Sequence, residues 1–229
     1  MQFEISGGIS FSVLDVVLEA GEVIAAQPKS MVCMSTGIEV TAKLGGVSGS
    51  GPITGSIKGL LAGESVALAY FTSTKPGQTL SLAPDVIGPI LPISLSEGRD
   101  LLIAKGSYLA SEPSVTLKTE FTGMKGFLSK KGMFLVRAIG PGHVFLSAAG
   151  EVREKKLEPE ERFVVDNDFV VAFDSSVKYE LVTASKGLTN SLLSGEGLVN
   201  RYTGPGRVFY QTRAKAKQGV MGTILNTVT

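Results

Sequence analysis

The sequence predicts an all-β protein, and two observations support that fold class. Helical periodicity is nearly absent, whereas short runs rich in Val, Ile, Leu, Phe and Thr recur roughly every eight to twelve residues, with Gly, Pro, Ser or Asp between them. Glycine, which favours turns, supplies 28 of the 229 residues, well above its average share of roughly 7%. Because 43% of the residues are hydrophobic and 19% charged, the chain can build a core, and a disordered chain is excluded.

Eight apolar runs are predicted as strands. In chain order they are Ser10–Leu18, Ser30–Ser35, Ser65–Thr72, Ser114–Phe121, Met133–Ile139, His143–Ala148, Phe169–Phe173 and Arg207–Thr212. Residues Ser114 to Thr119 alternate between polar and apolar, which is typical of a strand with one buried face. Phe169–Phe173 is apolar throughout, which suits a strand covered on both faces. Thr183–Leu193 is the best helix candidate, although a loop fits its glycine and weak periodicity equally well.

A threefold internal repeat organises these strands. In each copy a leucine precedes a polar turn, a large apolar residue follows six positions later, and an apolar strand begins seven positions after that. The copies are Leu18, Ile24 and Met31; Leu95, Leu101 and Tyr108; and Leu157, Phe163 and Val170. A pattern repeated in register three times indicates homologous units.

A Pro-Gly turn forms the second part of the repeat. It is followed each time by a polar, a β-branched and a large apolar residue, in the segments Pro76–Leu80, Pro141–Phe145 and Pro205–Phe209. This alignment makes Gln78 and Arg207 the counterparts of His143. Proline presets φ and glycine accepts a positive φ at the next position, which fits a hairpin turn.

We therefore predict three β units, at residues 1–84, 85–150 and 151–229. The first carries a Gly-rich insertion at residues 45–52. A β unit of this size buries a modest share of its surface and is marginal alone, so the three units should pack side by side.

The sequence also resembles a known family. The resemblance is carried by the Gly-rich segment 45–55, by Phe163–Phe173, and by Gly195–Leu198 leading to Tyr202–Arg213. Together these resemble the mitochondrial-biogenesis, altered-inheritance-of-mitochondria family, within the superfamily of the tryptophan RNA-binding attenuator protein. The resemblance implies a short double-stranded β-helix, or jelly-roll, for each unit, and a ring-like homotrimer presenting nine units.

Localisation and ligands do not follow from this resemblance. Eukaryotic members of the family are mitochondrial, but the opening MQFEISGGISFSV lacks the character of a presequence or signal peptide, so a cytoplasmic location is expected. The attenuator protein binds tryptophan between subunits and RNA on its rim, and no motif of this sequence aligns with those binding residues.

The residue counts argue against catalysis. Cys33 is the only cysteine and His143 the only histidine, which excludes an internal disulfide, a thiolate metal cluster and any single-chain site with two imidazoles. Neither a phosphate-binding P-loop nor a nucleophile elbow occurs. We expect a non-enzymatic protein without a cofactor or metal; a jelly-roll enzyme would need a site built from carboxylates.

Several residues remain candidates for binding, each with a structural alternative. A ligand could be bound at Gly142, His143, Gly206 and Arg207, where glycine would let the backbone approach it. Nucleic acid or another anion could contact Arg201, Arg207 and Arg213, although with a net charge of +1 these residues are better explained as a solvated strand edge.

Two further motifs are interpreted as structural. Asp166-Asn167-Asp168 offers oxygens for a hard cation, but a turn between strands is the better interpretation. Cys33, within the apolar run Met31–Met34, is expected to be a buried, inert thiol.

The leading functional hypothesis is a non-catalytic scaffold that partners itself as a homotrimeric ring. The alternative is a module that binds a small ligand or RNA in clefts between units. No apolar run approaches the ~20 residues of a membrane-spanning helix, and the sequence identifies no protein partner.

Overall fold

Runs of β-branched and aromatic residues form strands throughout the part of the chain that the structure describes. The computed structural model describes residues 1–45, 66–122, 133–183 and 198–214. These residues contain nineteen strands and no helix, so the predicted all-β class is confirmed. Accordingly, the described residues include no helix with the length and hydrophobicity needed to cross a membrane.

The strands, in chain order, are β1 Gln2–Ser6, β2 Val13–Leu18, β3 Val23–Ala26, β4 Met31–Met34, β5 Glu39–Gly45, β6 Val66–Thr72, β7 Gln78–Leu82, β8 Ile90–Leu95, β9 Asp100–Ala104, β10 Tyr108–Ser111, β11 Thr116–Thr122, β12 Met133–Ile139, β13 Gly142–Ser147, β14 Val152–Leu157, β15 Arg162–Asp166, β16 Val170–Asp174, β17 Lys178–Thr183, β18 Leu198–Thr203 and β19 Gly206–Gln211.

Each of the eight predicted runs overlaps one of these strands, and four of the strands extend one residue beyond the predicted run. The alternation before and within β11 is confirmed, because Val115 and Leu117 are buried whereas Thr116 and Lys118 are exposed. In β16, residues Val170 to Phe173 are all buried, as their continuous apolar character predicted. Beyond their first residues, the helix candidate Thr183–Leu193 and the Gly-rich insertion 45–52 lie outside the described residues.

The strands pair into four antiparallel sheets. Their strand orders are β1-β2-β7-β4, β5-β6-β3-β10-β13-β8, β11-β12-β9-β16-β19-β14 and β15-β18-β17. A single parallel bridge between Phe11 and Gly88 joins the β1–β2 connection to the segment before β8.

The pairing pattern recurs at intervals of six strands. In one set, β7, β13 and β19 each lie between two partners: β2 and β4, β8 and β10, and β14 and β16. In the other set, β6, β12 and β18 lie between β5 and β3, β11 and β9, and β17 and β15. Even an irregularity recurs, because the register shifts near the start of β4, β10 and β16. The extra strand β1 covers the outer side of β2.

One part of the predicted repeat is wrong by a residue. Strand pairing aligns Met34 with Leu80, Ser111 with Val144 and Phe173 with Val208, which makes Thr79, and not Gln78, the counterpart of His143 and Arg207. The slip arises in the turn: residues 73–77 connect β6 to β7, whereas only residues 140–141 and 204–205 connect the corresponding strands. Equal Pro-Gly spacing therefore does not give equal strand register.

Two ladders join strands from different thirds of the chain. β3 pairs with β10 through Ala26 with Ala110 and Ala25 with Ser111. β9 pairs with β16 through Ile103 with Ala172, Leu102 with Phe173, and Leu101 with Asp174. We call these two ladders the internal junctions.

The described residues form three hydrophobic core clusters, each with side chains from both sides of an internal junction. Along β13, Val144 and Leu146 point into the core around β9 and β12, whereas Phe145 points into the core around β2 and β7. This alternation follows from the two-residue period of a strand. Buried residues of β10 and β16 likewise enter cores formed largely by earlier strands; Leu109 and Val171 are examples.

Candidate functional site

The first candidate site is the free side of strand β4. β4 pairs with β7 on one side, and no strand of the described residues pairs with its other side. All four of its residues are exposed, and Val32 is 59% exposed. The corresponding strands β10 and β16, by contrast, have buried residues throughout their apolar stretches.

The expectation that Cys33 is buried is therefore wrong, because Cys33 is exposed. Its counterparts Ala110 and Ala172 are fully buried. They are covered by β3 and β9, whereas no strand in the described part of the chain covers the corresponding side of β4. The apolar composition of the strand was identified correctly, but its burial depends on a neighbouring strand, which composition does not reveal.

The second candidate site is the free side of strand β15. β15 pairs with β18 on one side and, among the described residues, has no strand on the other. Val164 on this strand is 51% exposed, whereas its counterparts Ala25 and Leu102 are buried at the internal junctions. We call these two free sides the β4 edge and the β15 edge.

The β4 edge lacks the usual protection of an unpaired strand. Natural edge strands are commonly blocked by charged side chains, proline or inward-pointing charges, which prevent pairing with other chains. The sequence Met-Val-Cys-Met of β4 contains none of these. An exposed, apolar and unblocked edge is suited to pairing with another strand.

The proposed ligand residue His143 is held by Glu112. The backbone N–H of His143 donates to Glu112 Oε2 at 2.8 Å, and His143 Nδ1 lies 3.2 Å from Glu112 Oε1. The imidazole also contacts the Phe3 ring edge-on, with 5.2 Å between ring centroids. Next to it, a Cβ on Gly142 would lie 2.5 Å from Ser114 Oγ. The glycine is thus packed against protein, which gives it a structural role.

The same arrangement occurs at Arg207 and Asp174. The backbone N–H and Nε of Arg207 both donate to Asp174 Oδ2 at 3.0 Å, and its Nη2 donates to Oδ1 at 2.9 Å. These hydrogen bonds raise the pKa of Arg207 above its ordinary value, against the smaller opposing effect of burial. A Cβ on Gly206 would lie 2.6 Å from Val177 Cγ2.

Sequence reasoning missed Glu112 and Asp174, although a signal was present. Each lies four residues after the start of its strand in the repeat, at Tyr108 and Val170. The corresponding residue of the first copy is Ser35, whose Oγ accepts a hydrogen bond from the Thr79 backbone N–H at 2.9 Å. In all three copies, a polar side chain at this position accepts the N–H of the second residue of the facing strand.

The candidate anion-binding arginines do not share one strand: Arg201 and Arg207 lie on different sheets, and Arg213 follows β19. Arg201, on β18, donates from Nε to Glu180 Oε1 at 2.8 Å, a cross-strand ion pair that lowers the pKa of Glu180. Arg213 is exposed just after β19, and its Nη1 donates to the Thr212 carbonyl at 2.9 Å. Arg201 and Arg207 are thus paired with carboxylates, and binding of nucleic acid by these residues stays a prediction.

The segment Asp166–Asp168 forms the predicted turn. β15 ends at Asp166 and β16 begins at Val170, and the backbone N–H of Asp168 donates to Asp166 Oδ1 at 2.8 Å. The Asp166 side chain therefore closes the turn. Within the described ranges, no group of three or more His, Cys, Asp and Glu side chains is placed to hold a metal ion.

Comparison with known proteins connects the chain to one family. The family model described as "Mitochondrial biogenesis AIM24" matches residues 3–213. An uncharacterised protein of Streptococcus pyogenes serotype M6 is 28% identical over 216 residues, which cover 93% of this chain and 86% of that protein.

A solved structure shows the same fold. The X-ray crystal structure of a Streptococcus pyogenes protein superposes with a TM-score of 0.75 and 24% sequence identity, over 99% of this chain and 97% of the other. This likeness supports the all-β fold.

Proposed function

The chain belongs to the mitochondrial biogenesis AIM24 family, and from this premise we propose that it is a non-catalytic scaffold in which three copies close into a β ring. One observation carries the proposal. No strand of the described residues pairs with the β4 edge or the β15 edge, although their counterparts inside the chain pair with each other at both internal junctions.

The proposal includes three repeated units, each a short jelly-roll of six strands. Support comes from the pairing pattern, which recurs every six strands from β2 to β19, and from the matching seven-residue spacing in the sequence. The unit boundaries proposed are residues 1–84, 85–150 and 151–229. With these boundaries, each internal junction joins one unit to the next.

Other sheet edges do not point to assembly. β5, β11 and β17 are outermost strands in all three sets, and β8 and β14 are outermost in theirs. Among the described strands, β5, β11 and β17 end their sheets in all three sets, so these edges are normal outer surfaces of the fold. The extra strand β1 covers only the outer side of β2, the counterpart of β8 and β14. Of the strands equivalent to those at the internal junctions, β4 and β15 alone lack the partner strand in the described residues, and they differ from their counterparts in burial as well.

A contact between these two edges would be head-to-tail, because it joins different surfaces of identical chains. Such a contact either closes into a ring or continues into a filament. We propose closure at three chains and nine units, the number that the family resemblance implies.

The non-catalytic part of the proposal is supported by what the best polar candidates do. The carboxylates of Glu112 and Asp174 each accept a backbone N–H at the start of a strand as well as a side-chain bond. The Glu112–His143 and Asp174–Arg207 contacts therefore stabilise the pairing of neighbouring strands. The absence of a cofactor, the identity of any further protein partner and the cytoplasmic location stay predictions.

Light scattering coupled to size-exclusion chromatography tests the scaffold. At micromolar concentration we expect about 72 kDa, three times the 24.0 kDa of one chain. Val32→Lys should reduce the mass to that of one chain, because a buried ammonium at the β4 edge opposes strand pairing. Val40→Lys is the matched control, since Val40 is similarly exposed but lies on the outer strand β5. A wild-type mass of 24 kDa would rule out the scaffold.

A further inference from the structure

We infer that β15 of one chain pairs antiparallel with β4 of the next, with Val165 opposite Cys33, Val164 opposite Met34, and Phe163 opposite Ser35. This inference rests on the proposed self-assembly and specifies its contact: the partner at each edge is a second copy of this chain, and the strand register is fixed.

The register is taken from the internal junctions. Repeat spacing makes Ile24, Leu101 and Phe163 equivalent on one strand, and Met31, Tyr108 and Val170 equivalent on the other. Both internal junctions obey one rule in these terms. At the first junction, the residue two positions after Ile24 faces the residue two positions after Tyr108, which gives the pair Ala26–Ala110. At the second junction, the residues two positions after Leu101 and Val170 face each other in the same way, which gives the pair Ile103–Ala172.

Applying the rule to the free edges gives the proposed pairs. Two positions after Phe163 is Val165, and two positions after Met31 is Cys33. Hydrogen bonds follow the same rule. At the internal junctions the Gln27 N–H donates to the Leu109 carbonyl at 2.8 Å, and the Ser175 N–H to the Asp100 carbonyl at 3.0 Å. The equivalent bonds between chains run from the Asp166 N–H to the Val32 carbonyl, and from the Thr36 N–H to the Arg162 carbonyl.

Burial is consistent with this register at each position. Leu109 and Val171, the counterparts of Val32, are 0% exposed, whereas Val32 is 59% exposed. Ser111 and Phe173, the counterparts of Met34, are likewise buried, whereas Met34 is 38% exposed. Side chains that are buried at the two internal junctions are thus exposed at the equivalent positions of the β4 edge, and pairing of the two edges would bury them.

The geometry of the Cys33–Val165 pair makes a direct test possible. The Gln27-to-Leu109 bond flanks the equivalent pair Ala26–Ala110, which identifies that pair as one without hydrogen bonds of its own. In such pairs the Cα atoms lie about 4.5 Å apart, within the range of roughly 4.4–6.8 Å that a disulfide spans. Val165→Cys should therefore form a disulfide with the native Cys33 of the next chain.

The experiment is mild oxidation of the full-length Val165→Cys protein, followed by non-reducing gel electrophoresis. We expect bands of two and three chains that revert to one chain on reduction. The band series should end at three, because the ring closes there. Val164→Cys is the matched register control: its side chain points to the opposite face and should cross-link at least several-fold less. Cys33→Ala combined with Val165→Cys should not cross-link at all.

A second pair guards against a variant that fails to fold. Ser35→Cys with Phe163→Cys, in a Cys33→Ala background, occupies the next pair of the same geometric type and should give the same bands. An oligomeric protein in which neither pair cross-links, or in which Val164→Cys cross-links equally well, would overturn the register and leave the scaffold standing. A wild-type protein that is monomeric by light scattering would overturn both.

Discussion

At the residue scale, Gln78 shows how the first part of the chain departs from the other two. It occupies the strand position that glycine occupies in β13 and β19, at Gly142 and Gly206. Its buried amide organises the longer β6–β7 turn: Oε1 accepts from Ser73 Oγ and the Thr74 N–H, both at 2.8 Å. Its Nε2 donates to the Thr36 carbonyl at 2.8 Å. The amide thus links the turn to the loop after β4.

Gln78→Leu should lower the free energy of unfolding by about 2–4 kcal/mol. Leucine keeps the volume but accepts no hydrogen bond, so several polar groups of the turn lose their partner in a buried site. Urea unfolding at one fixed protein concentration measures the loss. Gln2→Leu is the control, because Gln2 is exposed on β1 and the same substitution there should change stability little. Equal effects of the two substitutions would show that the amide does not organise the turn.

Sequence patterns predicted single residues well where local geometry decides their role. The turn at residues 166–168 was expected, and the Asp166 side chain closes it because a short Asp side chain reaches its own backbone two residues on. The prediction that Cys33 is buried was wrong, because burial of a strand residue depends on the neighbouring strand, which composition does not reveal. The roles of Glu112 and Asp174 were missed because each is defined by a contact with a residue some thirty positions away.

At the element scale, the two-residue connections before β13 and β19 depend on glycine for space. Each joins strands of different sheets, so the predicted hairpin at the Pro-Gly turns is wrong. Gly206 has φ +142, and an added Cβ would lie 2.6 Å from Val177 Cγ2 and 2.7 Å from Ser176 Oγ. The strand-to-strand hydrogen bonds of Asp174 keep these neighbours close. Glycine at this position therefore serves packing between β19 and the segment after β16.

Gly206→Ala should destabilise the protein by about 1–3 kcal/mol more than Gly98→Ala does, because overpacking is added to backbone strain. Gly98 is the matched control: its φ is +74, but an added Cβ would meet nothing within 4 Å. The two urea midpoints, measured in one buffer, give the comparison. If both variants lose the same stability, crowding by Val177 and Ser176 is not the reason for glycine at residue 206.

Elements were predicted where the pattern is strong and missed where it is not. Strongly apolar or alternating runs all proved to be strands. Charged strands such as β14, Val152–Leu157, gave no such signal, because five of its six residues are exposed or half-buried and four of them carry a charge. The Pro-Gly signature located the turns but not their lengths, since a turn of different length shifts the facing strand by one residue without changing the sequence motif.

At the scale of the whole molecule, the proposed three-unit organisation accounts for the two different free edges among the described strands. In that proposal each unit pairs with the next through one strand and with the previous one through another, so a linear array of three units leaves one strand of each kind unpaired. The two unpaired strands, β4 and β15, are complementary because their internal counterparts pair with each other. The threefold repeat predicted from the sequence therefore implies a head-to-tail assembly, in which the β4 edge of one chain contacts the β15 edge of the next.

This polarity can be tested by mixing two chains that are each blocked at one edge. Val32→Lys blocks the β4 edge and leaves the β15 edge intact, whereas Val164→Lys does the reverse. Each variant alone should be monomeric, because every contact in a homogeneous sample needs one blocked edge. Mixed in equal amounts, they share one intact contact and should form a heterodimer of about 48 kDa, twice the 24.0 kDa of one chain, and nothing larger. The doubly substituted chain should bind neither variant. If instead the Val164→Lys chain associates with itself, the contact joins like edges, and the head-to-tail ring is wrong.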